Sequence, residues 1–191
     1  IEDFAAYSSV PVINALTDDH HPCQLLADMQ TFIELRGSIE GKKVVWIGDG
    51  NNMCQTYMQA ADMLDFELTI ACPEGFEPCT NLLNQLKQNV TVIHDPVKAV
   101  SGAHLVATDT WASMGQESEK NIREIAFKDF QVNEKLMDLS GDRSIFMHCL
   151  PAYRGQEINE TIMNSKYSAV WIAAENRLHS QKALIEFLLS T

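Results

Sequence analysis

Short apolar runs alternate with longer segments of helical periodicity along the whole sequence, and no repeat, low-complexity tract or Pro/Gly-rich linker interrupts them. Runs rich in Val, Ile and Leu are typical of strands that are buried on both faces of a parallel sheet. They lie at residues 44–47, 68–71, 90–93, 105–108, 145–148 and 169–172. The alternation predicts a three-layer α/β domain in which a mostly parallel sheet is flanked by helices.

The segments outside these runs predict helices and one unpaired strand. Apolar residues at helical spacing from Leu25 to Ile33 predict a helix that ends near Gly37. A last helix is predicted from about Leu178 to Leu189. The apolar segment at residues 10–16 has the composition of a strand but no remaining partner. We therefore expect it to be the tail of a preceding domain.

The net charge and the cysteine content limit the classes of partner and the cell compartment that we expect. The 191 residues include 14 Lys+Arg and 26 Asp+Glu, so the formal net charge is −12. A nucleic acid or an anionic membrane would repel such a chain, and no apolar run approaches the roughly 18 residues of a membrane span. Five cysteines without a C-x-x-C pair are typical of reduced thiols. We expect a cytoplasmic protein with neither nucleic acid nor membrane as partner.

The turn at residues 48–52, Gly-Asp-Gly-Asn-Asn, follows the first predicted strand, at the edge where ligands bind open parallel sheets. It resembles half of a dinucleotide fingerprint, but Met53 replaces the third glycine, and residues 71–73 offer no acid for a ribose. A nicotinamide-dependent oxidoreductase therefore remains only as an alternative. We expect Asn51 or Asn52 to cap the following helix and the other to face a ligand.

Asp109 follows the fourth predicted strand, and Cys149 follows His148, the last residue of the fifth. Asp109 is either a helix cap or a site residue, and Trp111 after it is costly to leave in water unless it covers something. Cys149 is either a small core residue or a site residue, and its position at the same sheet edge as Asp109 favours the site. Beside a cationic amine its thiol would have a lowered pKa. The Leu150-Pro151 bond is either trans or cis.

Polar side chains also cluster where two helices are predicted to begin. Pro22 suits a first helical position, which makes His21 the N-cap, and Gln24 lies in the same turn. These side chains either hold a small polar group beside a phosphate or form a partial capping box. Arg177, at the predicted start of the last helix, either binds an anion or pairs with an acid. No third ligand accompanies His20 and His21 at a useful spacing, so we predict no metal.

Five motifs together resemble the ornithine carbamoyltransferases. They are His-Pro-Cys-Gln at 21–24, Gly-Asp-Gly-Asn-Asn at 48–52, Asp-Thr-Trp-Ala-Ser-Met-Gly at 109–115, His-Cys-Leu-Pro at 148–151 and Ala-Glu-Asn-Arg at 174–177. They occur in the family's order and span nearly the whole chain. The resemblance implies a Rossmann-like fold, no cofactor, and a step of arginine biosynthesis in which carbamoyl phosphate and L-ornithine give citrulline and phosphate.

The same resemblance implies a role for each matched residue. Carbamoyl phosphate would contact His21, Gln24, Cys149, Leu150 and Arg177, and ornithine would contact Asn52, Asp109, Ser113 and Met114. Asp109 and Cys149 would be the catalytic contacts to the δ-amine, with no covalent cysteine intermediate. Two alternatives stay open: a carbamoyltransferase with another amine acceptor, and a non-catalytic α/β module for amino-acid binding or protein interaction.

The resemblance also implies a domain division. Residues 1–36 would be a remnant of a carbamoyl-phosphate-binding domain plus an interdomain helix, and 37–191 the ornithine-binding domain, with the last helix returning to the first. The family's Ser-x-Arg-Thr-Arg phosphate loop does not occur in the sequence, which begins without Met. We therefore expect part of a longer, trimeric protein, nearly inactive by itself. We also expect exposed or intermolecular positions at Leu25, Phe32, Leu184 and Leu188.

Overall fold

The computed structural model describes residues 1–86, 88–112, 117–141 and 143–190. Its sheet consists of β1 (Lys43–Ile47), β2 (Glu67–Ala71), β3 (Val90–Ile93), β4 (Leu105–Thr108) and β5 (Ile145–His148). All neighbouring strands are parallel, in the order β3-β2-β1-β4-β5. The chain therefore builds outward from β1 on one side and then crosses back to β4. The gap between the ends of β1 and β4 is the switch point at which such sheets bind ligands.

The described residues also form eight α-helices. They are α1 (Glu2–Tyr7), α2 (Pro22–Arg36), α3 (Asn52–Leu64), α4 (Thr80–Gln85), α5 (Pro96–Val100), α6 (Lys120–Ala126), α7 (Glu134–Met137) and α8 (Val170–Ser190). Short 3-10 turns occur at Glu117–Glu119, Lys128–Phe130 and Ile162–Asn164. None of the helices in this part of the chain is both long and apolar enough to cross a membrane.

Two hydrophobic clusters, one on each face of the sheet, confirm the predicted three-layer architecture. Trp46 of β1 packs with Tyr57 of α3 in one cluster, and Val45, Phe127 and Phe146 belong to the other. Adjacent residues of a strand point to opposite faces, so strands covered on both sides must be apolar at nearly every position. This requirement explains why the runs of β1, β4 and β5 are apolar at nearly every position.

The sixth predicted strand, at residues 169–172, is wrong. Helix α8 begins at Val170, and only Ser168 pairs with the sheet, through an isolated bridge to Phe146. A four-residue apolar run fits a strand or a buried helical turn equally well. Here Val170 and Ala173 are buried three residues apart, as in a helix. Consequently Arg177 lies inside α8. The predicted position of Arg177 at the start of the last helix is therefore wrong.

One further expectation is wrong, a second is wrong only for Phe32, and a third is confirmed. Residues 10–16 form no regular secondary structure, and their largest apolar side chains are exposed, so burial does not hold them as a strand. Phe32 is fully buried under the sheet, whereas Leu25, Leu184 and Leu188 are partly exposed. The predicted end of α2 is confirmed, because Gly37 caps the helix with φ +83°, a backbone angle that favours glycine.

Candidate functional site

Asp109 and Cys149 meet at the carboxyl edge of the sheet. Thr108 and His148 are register partners at the ends of β4 and β5, so the residues that follow them leave the sheet side by side. The Cys149 Sγ donates to Oδ1 of Asp109 at 3.0 Å, and the backbone N–H of Thr110 donates to the same oxygen at 2.7 Å. The sequence-based expectation that Asp109 and Cys149 share one edge is therefore confirmed.

The Cys149 thiol keeps its proton in this arrangement. Burial and the adjacent Asp109 carboxylate raise its pKa well above the usual range. Both causes disfavour a thiolate, because a second negative charge would lie against the carboxylate in a poorly solvated place. Cys149 therefore serves as a hydrogen-bond donor here, and the lowered pKa that we considered would require a cation beside it.

Asn51 both caps α3 and contacts Asp109. Its Oδ1 accepts from the N–H of Cys54 at 3.1 Å, and its Nδ2 donates to Oδ2 of Asp109 at 2.8 Å. We predicted that one asparagine would cap and the other would face the site, but Asn51 does both. The Nδ2 of Asn52 instead donates to the Thr17 carbonyl at 2.8 Å. The sequence could have predicted this second contact of Asn51, because an asparagine that caps a helix through Oδ1 still has an NH2 group to donate.

A second polar cluster lies at the start of α2. Pro22 occupies the first turn and His21 is the N-cap, as predicted, but the His21 side chain makes no capping bond. The capping-box alternative is wrong, because Gln24 Oε1 accepts from an Arg177 guanidinium N–H at 2.6 Å and its Nε2 donates to Asp28 at 2.9 Å. Arg177 makes no ion pair with Glu175 or Asp109 among the described residues.

Two polar atoms of this second cluster are buried without a hydrogen-bond partner in the described part of the chain. They are Nδ1 of His21 and Nε of Arg177. Burial, and then the positive charge of Arg177, lower the pKa of His21, which keeps its imidazole neutral at pH 7. Unpaired buried polar atoms are costly and therefore unusual away from binding sites.

The His-Cys-Leu-Pro loop is held by a buried pair that the sequence reasoning missed. Nε2 of His148 lies 3.1 Å from Oε1 of Glu157, and both side chains are fully buried. Nδ1 accepts from the N–H of Leu150 at 2.9 Å, so the ring proton is on Nε2 and is donated to Glu157. These bonds fix the backbone beside Cys149, where Leu150 has φ +58° and the Leu150-Pro151 bond is cis.

A buried arginine, also missed, joins the turn after β1 to the segment after β4. Arg123 donates to Oδ2 of Asp49 at 2.7 Å and to the Trp111 carbonyl at 2.9 Å, and its Nε donates to Glu119 at 3.0 Å. Burial raises the pKa of Asp49, while Arg123 opposes that rise. The predicted ornithine contacts Ser113 and Met114 follow Trp111 and lie outside the described residues.

Ligand atoms of Asp109, His148 and Cys149 lie within 4.8 Å of one another, which is the spacing of a potential metal site. Both nitrogens of His148 are engaged, by Glu157 and by the Leu150 N–H, and Cys149 donates to Asp109. A cation would have to break these bonds before it could bind. The arrangement in the described residues therefore fits a hydrogen-bonding site better than a metal centre.

Comparison with protein families matches nearly the whole chain. Residues 40–188 match the aspartate/ornithine carbamoyltransferase Asp/Orn binding domain, and residues 1–34 match the carbamoyl-P binding domain of the same family. An ornithine carbamoyltransferase of Acinetobacter baumannii is 60% identical over 190 residues, which are 100% of this chain and 62% of that protein. The anabolic enzyme of Pseudomonas aeruginosa is 57% identical over 189 residues, 99% of this chain and 62% of its own length.

Solved structures show the same correspondence in three dimensions. The ornithine carbamoyltransferase of Burkholderia thailandensis superimposes with a TM-score of 0.90 at 46% identity, over 99% of this chain and 61% of that one. The ornithine carbamoyltransferase of Pyrococcus furiosus superimposes with a TM-score of 0.89 at 46% identity, over 96% of this chain and 61% of that one. The chain thus spans less than two thirds of these relatives. Because the family model matches residues 40–188, the chain belongs to the aspartate/ornithine carbamoyltransferase family.

Proposed function

We propose that the polypeptide carrying this chain is an ornithine carbamoyltransferase, which transfers the carbamoyl group of carbamoyl phosphate to the δ-amine of L-ornithine and releases L-citrulline and phosphate. The observation that carries the proposal is the cluster of Asp109, Cys149 and Asn51 at the carboxyl edge of the sheet. Family membership supports the reaction type, and the names of the relatives support ornithine as the acceptor.

His21, Gln24 and Arg177 are assigned to carbamoyl phosphate. The unpartnered Nδ1 of His21 and Nε of Arg177 are suited to bond a polar ligand. Negative charge develops on the carbamoyl oxygen when the amine attacks, and hydrogen-bond donors fixed in a dry site stabilise such charge more than water does. Arg177 adds a positive charge that favours the anionic donor and the departing phosphate.

Asp109 and Cys149 are assigned to the ornithine δ-amine. The amine must be neutral to attack, so it first loses one proton. That proton passes to water. The lone pair of the amine then forms the new C–N bond as the C–O bond to phosphate breaks, and the phosphate leaves with that electron pair and takes up the second proton from the nitrogen. The Asp109 carboxylate can orient the amine, while the protonated Cys149 thiol is a contact and not a nucleophile.

The remaining assignments come from the same resemblance. The Leu150 carbonyl would contact the donor beside Cys149. Asn52, Ser113 and Met114 would hold the α-amino and carboxylate groups of ornithine, although the Asn52 amide donates to Thr17 in this structure. Substrate binding would have to compete with that bond at Asn52.

We also propose the domain division, the assembly and the location given by the resemblance. The match of residues 1–34 to the carbamoyl-P binding domain supports a boundary between 1–36 and 37–191. Large apolar side chains are exposed on α1 and α8, which supports contact with that domain or with another copy in a cytoplasmic homo-oligomer, a trimer as in the family. They are Phe4, Tyr7, Phe187 and Leu189.

Citrulline formation tests the proposal directly. The complete polypeptide is incubated with carbamoyl phosphate and, in parallel, with ornithine, putrescine or aspartate. We expect citrulline at enzymatic rates and little product from the other amines, and a rate at least about 100-fold lower for Asp109→Asn, because the amine loses its charged partner. Preference for another acceptor would contradict ornithine as the substrate, and no product at all would contradict transferase activity.

The 191 residues by themselves provide a second measurement. The family's phosphate loop would supply charged hydrogen bonds of about 1.5–3 kcal/mol each, so we expect this chain alone to be nearly inactive. Calorimetry should still detect weak ornithine binding. Citrulline formation by these residues at near-enzyme rates would contradict the proposed division of labour between the two domains.

A further inference from the structure

A continuous line of hydrogen bonds runs through the buried side of the second cluster. The Tyr57 hydroxyl donates to Oδ2 of Asp28 at 2.8 Å, and Gln24 Nε2 donates to Oδ1 of Asp28 at 2.9 Å. Arg177 then donates to Gln24 Oε1 at 2.6 Å. Both carboxylate oxygens of Asp28 are thus engaged by side chains, and Asp28 itself is 2% exposed.

The orientation of the Gln24 carboxamide follows from its two neighbours. A guanidinium can only donate and an ionised carboxylate can only accept, so Oε1 must face Arg177 and Nε2 must face Asp28. Among the described residues, the second N–H of the Gln24 Nε2 group makes no hydrogen bond, so it is available to a ligand. If Asp28 lost its charge, the carboxamide could turn over, and the Arg177 guanidinium would lose the carboxylate nearest to it along this line.

We propose that Asp28 is a positioning residue, which fixes the Gln24 carboxamide and stabilises the Arg177 guanidinium so that both face the carbamoyl donor. The proposal rests on the proposed function, because it concerns the donor half of that site. Asp28 lies one helical turn beyond Gln24 on the buried face of α2, so it acts through Gln24 and not on the substrate.

The charge state of Asp28 couples this positioning to pH. Burial raises the pKa of Asp28 to about 6, while hydrogen bonds from Gln24 and Tyr57 oppose the rise. The ionisable groups that face it are Tyr57 of α3, His148 and Cys149 at the end of β5, and Arg177 of α8. His21, which also titrates, interacts with the charge of Arg177. Comparison of variants, and not the wild-type profile alone, therefore isolates Asp28.

Asp28→Asn tests the proposal in the complete polypeptide, with Glu34→Gln as the control. Glu34 lies on the same helix, is exposed, and undergoes the same loss of charge. We expect Asp28→Asn to raise KM for carbamoyl phosphate about tenfold or more, with KM for ornithine within about twofold, because only the donor side is affected. Wild-type KM for carbamoyl phosphate should rise below about pH 6, and this rise should flatten in Asp28→Asn.

Tyr57→Phe keeps the proposal testable if Asp28→Asn does not fold. It retains the carboxylate but removes a hydrogen bond that lowers the Asp28 pKa, so the acidic rise in KM should move to higher pH. An unchanged profile in Tyr57→Phe, or equal KM increases for both substrates in Asp28→Asn, would overturn the positioning role.

Failure of the proposed function gives a different result. If the wild-type polypeptide forms no citrulline, the proposed transferase activity is contradicted, independently of the role of Asp28. The side-chain amide NMR signal of Gln24 then decides the remaining claim, because it should shift with pH near 6 in the wild type and not in Asp28→Asn. If the Gln24 signal did not shift as Asp28 titrates, the Asp28 carboxylate would not determine the orientation of the Gln24 carboxamide.

Discussion

At the scale of single residues, burial decides the behaviour of the ionisable groups around the site. Desolvation by burial is the largest cause of the raised pKa of Asp28, Asp49 and Cys149. It is also the largest cause of the lowered pKa of His21. Each shift favours the uncharged form, as expected where water is excluded. The hydrogen bonds from Gln24 and Tyr57 only partly offset this effect at Asp28.

The raised pKa of Asp28 predicts how folding stability changes with pH. The native carboxyl binds its proton more tightly than the unfolded one, so the Asp28 contribution to stability falls as pH rises from 3.8 to about 6 and is constant above. Urea unfolding of wild type and Asp28→Asn at pH 4 and pH 7.5 should show their difference changing by about 3 kcal/mol in favour of the variant. A difference independent of pH would contradict the raised pKa.

Asn51→Ser separates the two roles of the Asn51 side chain. A serine hydroxyl can still cap α3, but it cannot donate to Asp109 as the Nδ2 group does. We expect the free energy of unfolding to fall by less than about 1 kcal/mol and carbamoyl transfer by at least about tenfold. Asn133→Ala, which removes only the cap of α7, is the control and should cost stability without changing activity. Normal activity of Asn51→Ser would contradict the second role.

At the scale of elements, one ion pair fixes the turn after β1 relative to the segment after β4. Arg123 of α6 is 7% exposed and bridges Asp49 and the Trp111 carbonyl, so it connects the two segments that carry Asn51 and Asp109. Its guanidinium also lies 5.1 Å from the centre of the Phe76 ring. A short helix thereby sets the geometry at the switch point of the sheet.

Arg123→Ala should therefore destabilise the fold strongly. It leaves the Asp49 carboxylate buried without its charged partner, a change that typically costs about 3–5 kcal/mol. Lys98→Ala, which removes the exposed pair with Asp95, should cost less than about 1 kcal/mol. Denaturant unfolding measures both. Similar losses for the two variants would show that the Arg123 pair does not hold these segments together.

At the scale of the whole molecule, the described chain presents apolar surface at both of its terminal helices. Phe4 and Tyr7 of α1 are 71% and 94% exposed, and Phe187 and Leu189 of α8 are 63% and 77% exposed. Large apolar side chains this exposed are candidates for contact with another protein surface. The sequence-based expectation concerned Leu25 and Phe32 of α2 and Leu184 and Leu188 of α8, of which Phe32 is buried and the other three are partly exposed.

We expect the 191-residue chain in isolation to cover this surface by self-association or to bind a hydrophobic dye. Phe4→Ser with Phe187→Ser should reduce dye fluorescence, while Tyr153→Ser, at an exposed position near Cys149, should not. Sedimentation and dye fluorescence are the measurements. A monomer that binds no dye would contradict the expectation.

The amino-acid sequence by itself determined the features that depend on local pattern. Burial on both faces makes strands β1, β4 and β5 apolar, and helix chemistry specifies Pro22, His21 and Gly37 as end residues of α2. The meeting of Asp109 and Cys149 was also predictable, because parallel strands end at a common edge.

Only the tertiary structure decided which polar side chains pair across the chain. The start of α8 placed Arg177 against Gln24, 153 residues away, and packing brought Asp28 to Tyr57, Arg123 to Asp49 and Glu157 to His148. Sequence periodicity reports which face of an element is buried, but not which distant side chain covers it. Those partners are selected by the need to satisfy buried polar groups once the elements have packed.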